Sequence, residues 1–294
     1  MARVILPRNE EDPTGQNSRE VRAMRAFAVK MNQVGRLYQD ALKATPVQAV
    51  TVNQKVYQFD LNPDILANLL AEIEQTVDRI LLEGGEDRLW FSVDYVIPAY
   101  QQGTATNWAN LGAQSTEYAA SRATLETLLM SPPYQRRIGF LRARQFENMV
   151  GFSNTAKTQM SRILSDGMVN GLNPLDISRQ LTQQLGVEKR RADRIARTEV
   201  PNAFRQARLD EAQAAAVDLG IRSVEMHLSA LSPTTRPSHR ARHATLHTAQ
   251  EQRLWWAQDG NSVNCKCSTV SVLVDAKGVP LDPTAVKRAE AMKG

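Results

Sequence analysis

Through most of the chain before Gly220, apolar residues recur three and four positions apart, a spacing that restricts this part of the molecule to helices. From about Ser18 to Ala44, the residues Met24, Phe27, Met31, Val34, Leu37, Tyr38, Ala41 and Leu42 form one stripe, and Thr45-Pro46 ends it. Residues 47–59 alternate instead (Val47, Ala49, then Val56, Tyr57, Phe59) about Asn53-Gln54, the pattern of a short hairpin. Asn62-Pro63-Asp64 supplies a capping side chain, a proline for the first turn and an acid at the positive end of a second helix, which stops at Gly84-Gly85. A further helical stretch, interrupted near Pro98 and Gly103, reaches about Met130, and Ser131-Pro132-Pro133 is the strongest boundary signal in the chain.

Beyond that boundary the pattern predicts helices over Tyr134–Met149 and Ser153–Asn170, then one from Asn173-Pro174 to about Leu185. A break at Gly186 precedes a long Arg-rich helix from Glu188 to Leu219. From Arg222 the texture changes to alternation (Val224, Met226, Leu228; later Val270, Val272, Val274) on either side of a His- and Trp-containing loop. The expected fold is therefore mainly α, with a small α+β His/Cys-containing module near the C-terminus. The expected divisions are residues 1–133 (helical), 134–220 (helical, with the basic helix), 221–275 (the His/Cys module) and 276–294 (a turn and a last polar helix). The first fifteen residues look like a loose arm, and whether residues 1–20 order only on a partner is left open by the sequence.

Hydrophobic residues at 42% and charged residues at 23% exclude a disordered chain. The N-terminus has no apolar run of signal-peptide length, and the most apolar stretch, residues 89–100, is too short to span a bilayer. Synthesis in the host cytoplasm and no membrane partner are the expectations. Charge is uneven. Residues 1–133 carry 12 Lys+Arg against 16 Asp+Glu (net −4), residues 134–210 carry 14 against 7 (net +7), and residues 211–294 carry 10 against 8 (net +2). In the basic segment Arg190, Arg191, Arg194 and Arg197 form a cationic helix face opposite Ala192, Ile195, Ala196 and Val200. Such a face suits a phosphate backbone, and a helix-turn-helix arrangement with the preceding helix is one way to dock it. An ordinary solvated face with local ion pairs explains it equally, and base-specific readout is the less favoured reading.

The most specific signal lies in the C-terminal third. All four histidines fall at positions 227, 239, 243 and 247, and the only two cysteines follow at 265 and 267. His239 and His243 are four apart and share a helix face, while Cys265 and Cys267 are two apart and share a strand face. Two imidazoles and two thiolates complete a tetrahedral zinc site, with His227 and His247 in reserve. Against this, Cys-x-Cys is less usual than Cys-x-x-Cys, Arg240 and Arg242 repel a cation, and the histidines can bond to backbone instead. A disulfide within Cys-x-Cys would be strained, so reduced thiols are expected. His239-Arg240-Ala241-Arg242-His243 lacks the glutamate of a metalloprotease helix, the deaminase pattern is missing, and so are the phosphate-binding glycine loops. Four protein ligands would leave no open position. The residues thus point to a structural zinc, if any, and to no enzyme.

Three stretches taken together resemble the minor head proteins of tailed phages, the phage Mu protein F-like family. They are Arg191-Ala192-x-x-Ile195-Ala196-Arg197-Thr198-Glu199 with Ala203 and Ala207-Arg208, Arg236-Pro237-Ser238-His239 with His243, and Asn264-Cys265-Lys266-Cys267. The segment Ile163 to Ile177, with Gly167 and Gly171, is similar to what that family places ahead of its Arg-Thr-Glu helix, and the resemblance covers roughly residues 135–275. It implies a head-morphogenesis protein in few copies, inside the virion near the portal vertex. Its implied partners are the portal protein, major capsid or scaffold proteins, and, weakly, double-stranded viral DNA during packaging and ejection. It also implies that His239, His243, Cys265 and Cys267 are the metal positions, and leaves residues 1–133 as the portal- or capsid-docking part. One departure stands out: Ala244 occupies a position where the family commonly has glycine. Competing readings are a sequence-independent DNA-binding protein and, less favoured, a zinc-dependent hydrolase or nuclease.

Overall fold

The computed structural model describes residues 2–50 and 56–293, and helices account for 68% of the chain. Helix α1 (Asn17–Ala44) follows the predicted stripe and buries Phe27, Met31, Val34 and Tyr38 completely. Strands β1 (Val47–Ala49) and β2 (Tyr57–Phe59) pair antiparallel with Val47 opposite Phe59. The turn expected at Asn53-Gln54 lies outside the described residues. Helix α2 (Pro63–Leu81) starts where the capping signal put it, with the Asn62 side chain accepting from the Ile65 amide. After the single turn α3 (Gly85–Arg88) comes a π-helical turn, Ser92–Val96, and then α4 (Ile97–Gln114), α5 (Thr116–Ser121) and α6 (Leu125–Met130). The interruption near Pro98 is this π-turn, with the proline in the first turn of α4, where its missing N–H costs nothing. Gly103 interrupts nothing. A Cβ there would run into the Phe204 carbonyl, so glycine sets how closely α4 approaches the helix bearing Phe204.

Two predicted breaks are absent. Pro132–Val169 is one helix, α7, rather than two, and Gly151 sits exposed inside it. Pro174–Leu219 is one helix, α8, running through Gly186 and even Pro201. The reason is packing: the apolar stripe continues across each glycine (Met149, Phe152, Ala156 in α7; Leu181, Ala192, Ala196 in α8), and its burial outweighs the roughly 1 kcal/mol that an interior glycine costs. A helix-turn-helix needs a turn near Gly186, and α8 has none, so that docking geometry is withdrawn.

The chain forms two compact units, each discontinuous in sequence: Met1–Val21 with Val93–Gly139 and Arg194–Gly294, and Arg22–Ser92 with Phe140–Asp193. The second unit is helical apart from the hairpin. At its centre Phe27 meets Trp90, Phe91 and Phe152 at ring-centroid distances of 4.8, 5.0 and 6.0 Å.

The first unit holds the C-terminal module. Its sheet has the order β4-β3-β5, all antiparallel: β3 (Ser223–Leu228), β4 (Leu246–His247) and β5 (Ser268–Leu273), with His227 opposite Thr269. Helices α9 (Pro237–Ala241), α10 (Ala249–Ala257) and α11 (Ala285–Glu290) complete it. Polar side chains from α4 finish the β5 edge. Asn110 and Gln114 donate to the Ser271 carbonyl, and Gln114 accepts from the Leu273 amide at 2.9 Å.

The arm is not loose. Val4 is fully buried among Met226, Leu228, Val270, Val272, Ala285 and Ala289. Its amide donates to Asp282 at 2.9 Å, that of Ile5 donates to Asn110, and the Glu10 carbonyl accepts from Leu231. An apolar side chain with a place in the core and backbone groups with partners order the segment within the chain itself.

Candidate metal centre

His239 comes from α9, a single turn begun by Pro237, while Cys265 and Cys267 lie in the irregular segment just before β5 rather than on the strand. All three are buried, and their ligand atoms lie within 4.8 Å of one another. The Nδ1 atom of His239 is 3.4 Å from Sγ of Cys267 and 3.5 Å from Sγ of Cys265. An ion bonding nitrogen at about 2.0 Å and sulfur at about 2.3 Å with tetrahedral angles sets those atoms roughly 3.5 Å apart, so the spacing fits zinc. The thiols are unbonded to each other. The Cys267 thiol hydrogen-bonds to Cys265, and with Arg205 and His239 nearby this drives Cys265 toward the thiolate. The same bond and burial push Cys267 up. One thiolate is therefore already favoured, and a bound cation would supply the attraction that favours a second.

The structure separates His243 from this cluster. Helix α9 ends at Ala241, so the four-residue spacing no longer places both imidazoles on one face. Both of its ring nitrogens are engaged: Nδ1 accepts from the Ser229 amide at 3.2 Å, and Nε2 donates to the Ala289 carbonyl at 2.8 Å. His243 is thus a brace between the end of β3 and α11. His247 stands on β4 with Nε2 2.7 Å from Thr245 Oγ1. His227 is buried on β3, its Nδ1 accepting from the Gln252 amide at 3.0 Å, and burial holds its pKa down at about 3, so it is neutral. The Trp255 ring meets both His227 (5.0 Å) and His239 (4.6 Å) edge-on. The arginines that would repel a cation are drawn off: Arg242 lies over Trp255 and donates to Gln252, and Arg240 donates to the Ser232 carbonyl.

What positions the cysteines is a set of residues that sequence reasoning did not assign to this site. Arg205, on α8 and 1% exposed, donates to the carbonyls of Cys265 (2.6 Å) and Cys267 (3.4 Å), with its guanidinium 4.8 Å from the Trp256 ring. Thr198, seven residues earlier on the same helix, accepts from the Asn264 amide, and Asn264 takes a left-handed φ of 51°. Arg236 clamps the preceding loop through the carbonyls of Gly260, Asn261 and Val263. The seven-residue spacing of Thr198 and Arg205 puts both on one helix face, and it was the available signal. The Arg-Thr-Glu helix and the His/Cys module are thus parts of one site.

Ala244, the departure from the family pattern, adopts φ 65°, a conformation that suits glycine. Left-handed backbone costs an alanine about 1–2 kcal/mol, and burying the methyl in the sheet's core returns about 0.8 kcal/mol, so the loop keeps its shape with little loss.

Of the proposed cationic face, Arg190, Arg194 and Arg197 are exposed, while Arg191 is half-buried against the Phe152 ring at 5.7 Å. No helix among the described residues is long and apolar enough to cross a membrane.

Residues 158–270, from within α7 to within β5, match the family described as Phage Mu protein F like protein. It is the family that the sequence motifs resemble, and the matched segment covers 113 of the 294 residues. Neither the curated proteins nor the solved structures contain a match to the chain.

Proposed function

We propose that this chain is a minor head protein of a tailed phage, seated inside the capsid at the portal vertex and taking part in head assembly and in DNA packaging and ejection. The observation that carries the reading is the extent of the family match. It takes in the arginine helix, the His239 turn and the Cys265–Cys267 loop, the three parts that Arg205, Thr198 and Arg236 join into one site. Its partners on this reading are the portal protein, capsid or scaffold proteins, and the viral duplex. Arg190, Arg194 and Arg197 follow one another by four and three residues on α8, which suits weak, sequence-independent contact with phosphates.

Zinc held by His239, Cys265 and Cys267 would tie α9 to the loop before β5, a cross-link of the kind that small modules use for stability. A catalytic role has less support. The cluster includes no carboxylate among the described residues, and Arg240 stands next to His239 where a metalloprotease helix has its glutamate.

The test is co-purification. The tagged full chain is expected to bring down the phage's own portal protein and to be found in purified procapsids. Absence from procapsids and virions would end the proposal. For the DNA contact, affinity for random duplex is expected to fall with salt with a log–log slope near 3, lost when Arg190, Arg194 and Arg197 are replaced by alanine.

A further inference from the structure

The metal centre has three ligands from the chain, and the fourth vertex of a tetrahedral ion has to be accounted for. No other histidine fills it. His243 would have to give up two hydrogen bonds, His247 is held on β4, and His227 lies outside the cluster with Nδ1 already taken. Among the described residues no Asp or Glu joins the cluster either.

A cavity does lie there. It has a volume of about 80 Å³, and its walls include all three ligands together with Ser232, Thr235, Asn264 and Lys266. It reaches the surface at Asn264 and Thr234, which are exposed. One water needs about 10–15 Å³ of such space, so the cavity holds several waters or a small anion. The walls are polar and cationic: the hydroxyls of Ser232, Thr234 and Thr235, the Asn264 amide, and the side chains of Arg236 and Lys266, the latter hydrogen-bonding Asn17. Two thiolates, a neutral imidazole and a divalent ion sum to zero charge. A fourth, anionic donor would leave the centre at −1, and Lys266 stands in the wall to offset that charge.

We infer that the centre takes its fourth ligand from outside the chain, as a small anion entering the cavity between Ser232, Thr235, Asn264 and Lys266. This rests on the zinc reading of His239, Cys265 and Cys267. It changes the expected role of the site, because a centre completed by four protein ligands is sealed, whereas this one exchanges a ligand with solvent.

The experiment loads the full chain with cobalt(II) in place of zinc and titrates it with azide while the visible ligand-field bands are recorded. The expected result is one cobalt per chain, thiolate charge-transfer absorption that is lost in Cys265→Ser, and a saturable shift of the visible bands with azide. His243→Ala should keep both the stoichiometry and the azide response, and Lys266→Ala should weaken azide roughly fivefold or more. Bands that do not respond to azide in the wild-type chain overturn the open position while leaving the metal centre standing. Failure to take up cobalt overturns the centre and the inference together, and neither result bears on whether the chain sits at the portal. The wild-type titration decides by itself, so a variant that fails to fold does not blunt the test.

Discussion

Arg205 is among the largest fully buried side chains of the described residues, and its work is to hold two cysteine carbonyls in place. Arg205→Ala is expected to lower metal affinity by about 10- to 100-fold, the usual range for groups that orient ligands without touching the ion. Competition with a chromophoric chelator measures it. Arg205→Lys should recover little, since an ammonium cannot reproduce a planar fork across two carbonyls. Glu20 bears on pH. Burial pushes its carboxyl up to about 7 from the ordinary 4.5, against the pull of Lys266. The folded chain thus holds this proton more tightly than the unfolded one. The associated stability is complete below about pH 4.5 and is lost as pH rises through about 7, an effect on the order of 1–3 kcal/mol. Glu20→Gln should flatten that part of the stability profile in urea titrations between pH 5 and 8. An unchanged slope would mean that Glu20 titrates normally.

At the scale of elements, the long helices were legible and their continuity was not. The stripe of α1 and the Asn-Pro starts of α2 and α8 are local signals, set by spacing and by single capping side chains. Whether a glycine ends a helix depends on what its neighbours bury, and that is not local. Gly151 faces open space, so Gly151→Ala is expected to stabilise by up to about 1 kcal/mol in chemical denaturation. No gain would mean that α7 is broken there. Gly103→Ala is expected to do the opposite, costing about 1–3 kcal/mol as its methyl meets the Phe204 carbonyl. Helix α4 was hard to read for a related reason. Asn107 and Asn110 are completely buried, bonded to the carbonyls of Arg208 and Ser271, so polarity on this helix does not mark the outer face.

For the molecule as a whole, the N-terminal arm and the C-terminal tail close the module together. Val4 fills the core of the sheet, while Asp282 accepts from its amide, from Thr284 and from Arg288. Removing residues 2–8 is therefore expected to lower the melting temperature by several degrees, since burying Val4 alone accounts for about 1.5 kcal/mol. A melt unaffected by the deletion would restore the view of the arm as a free segment.

The sequence by itself determined the helical body, the small α+β module and the residue types of the site, because periodicity, caps and clustered His and Cys are local in the chain. Its motifs also pointed to the phage Mu protein F-like family, and the match over residues 158–270 agrees. Only the tertiary structure decided which histidine faces the cysteines. His239 and His243 carry the same chemistry at helical spacing, and what distinguishes them is that α9 ends after one turn and that Ser229 and Ala289 claim both nitrogens of His243. The expected four-ligand staple is thus, in the folded chain, a group of three beside a polar cavity, held by an arginine sixty residues away from Cys265.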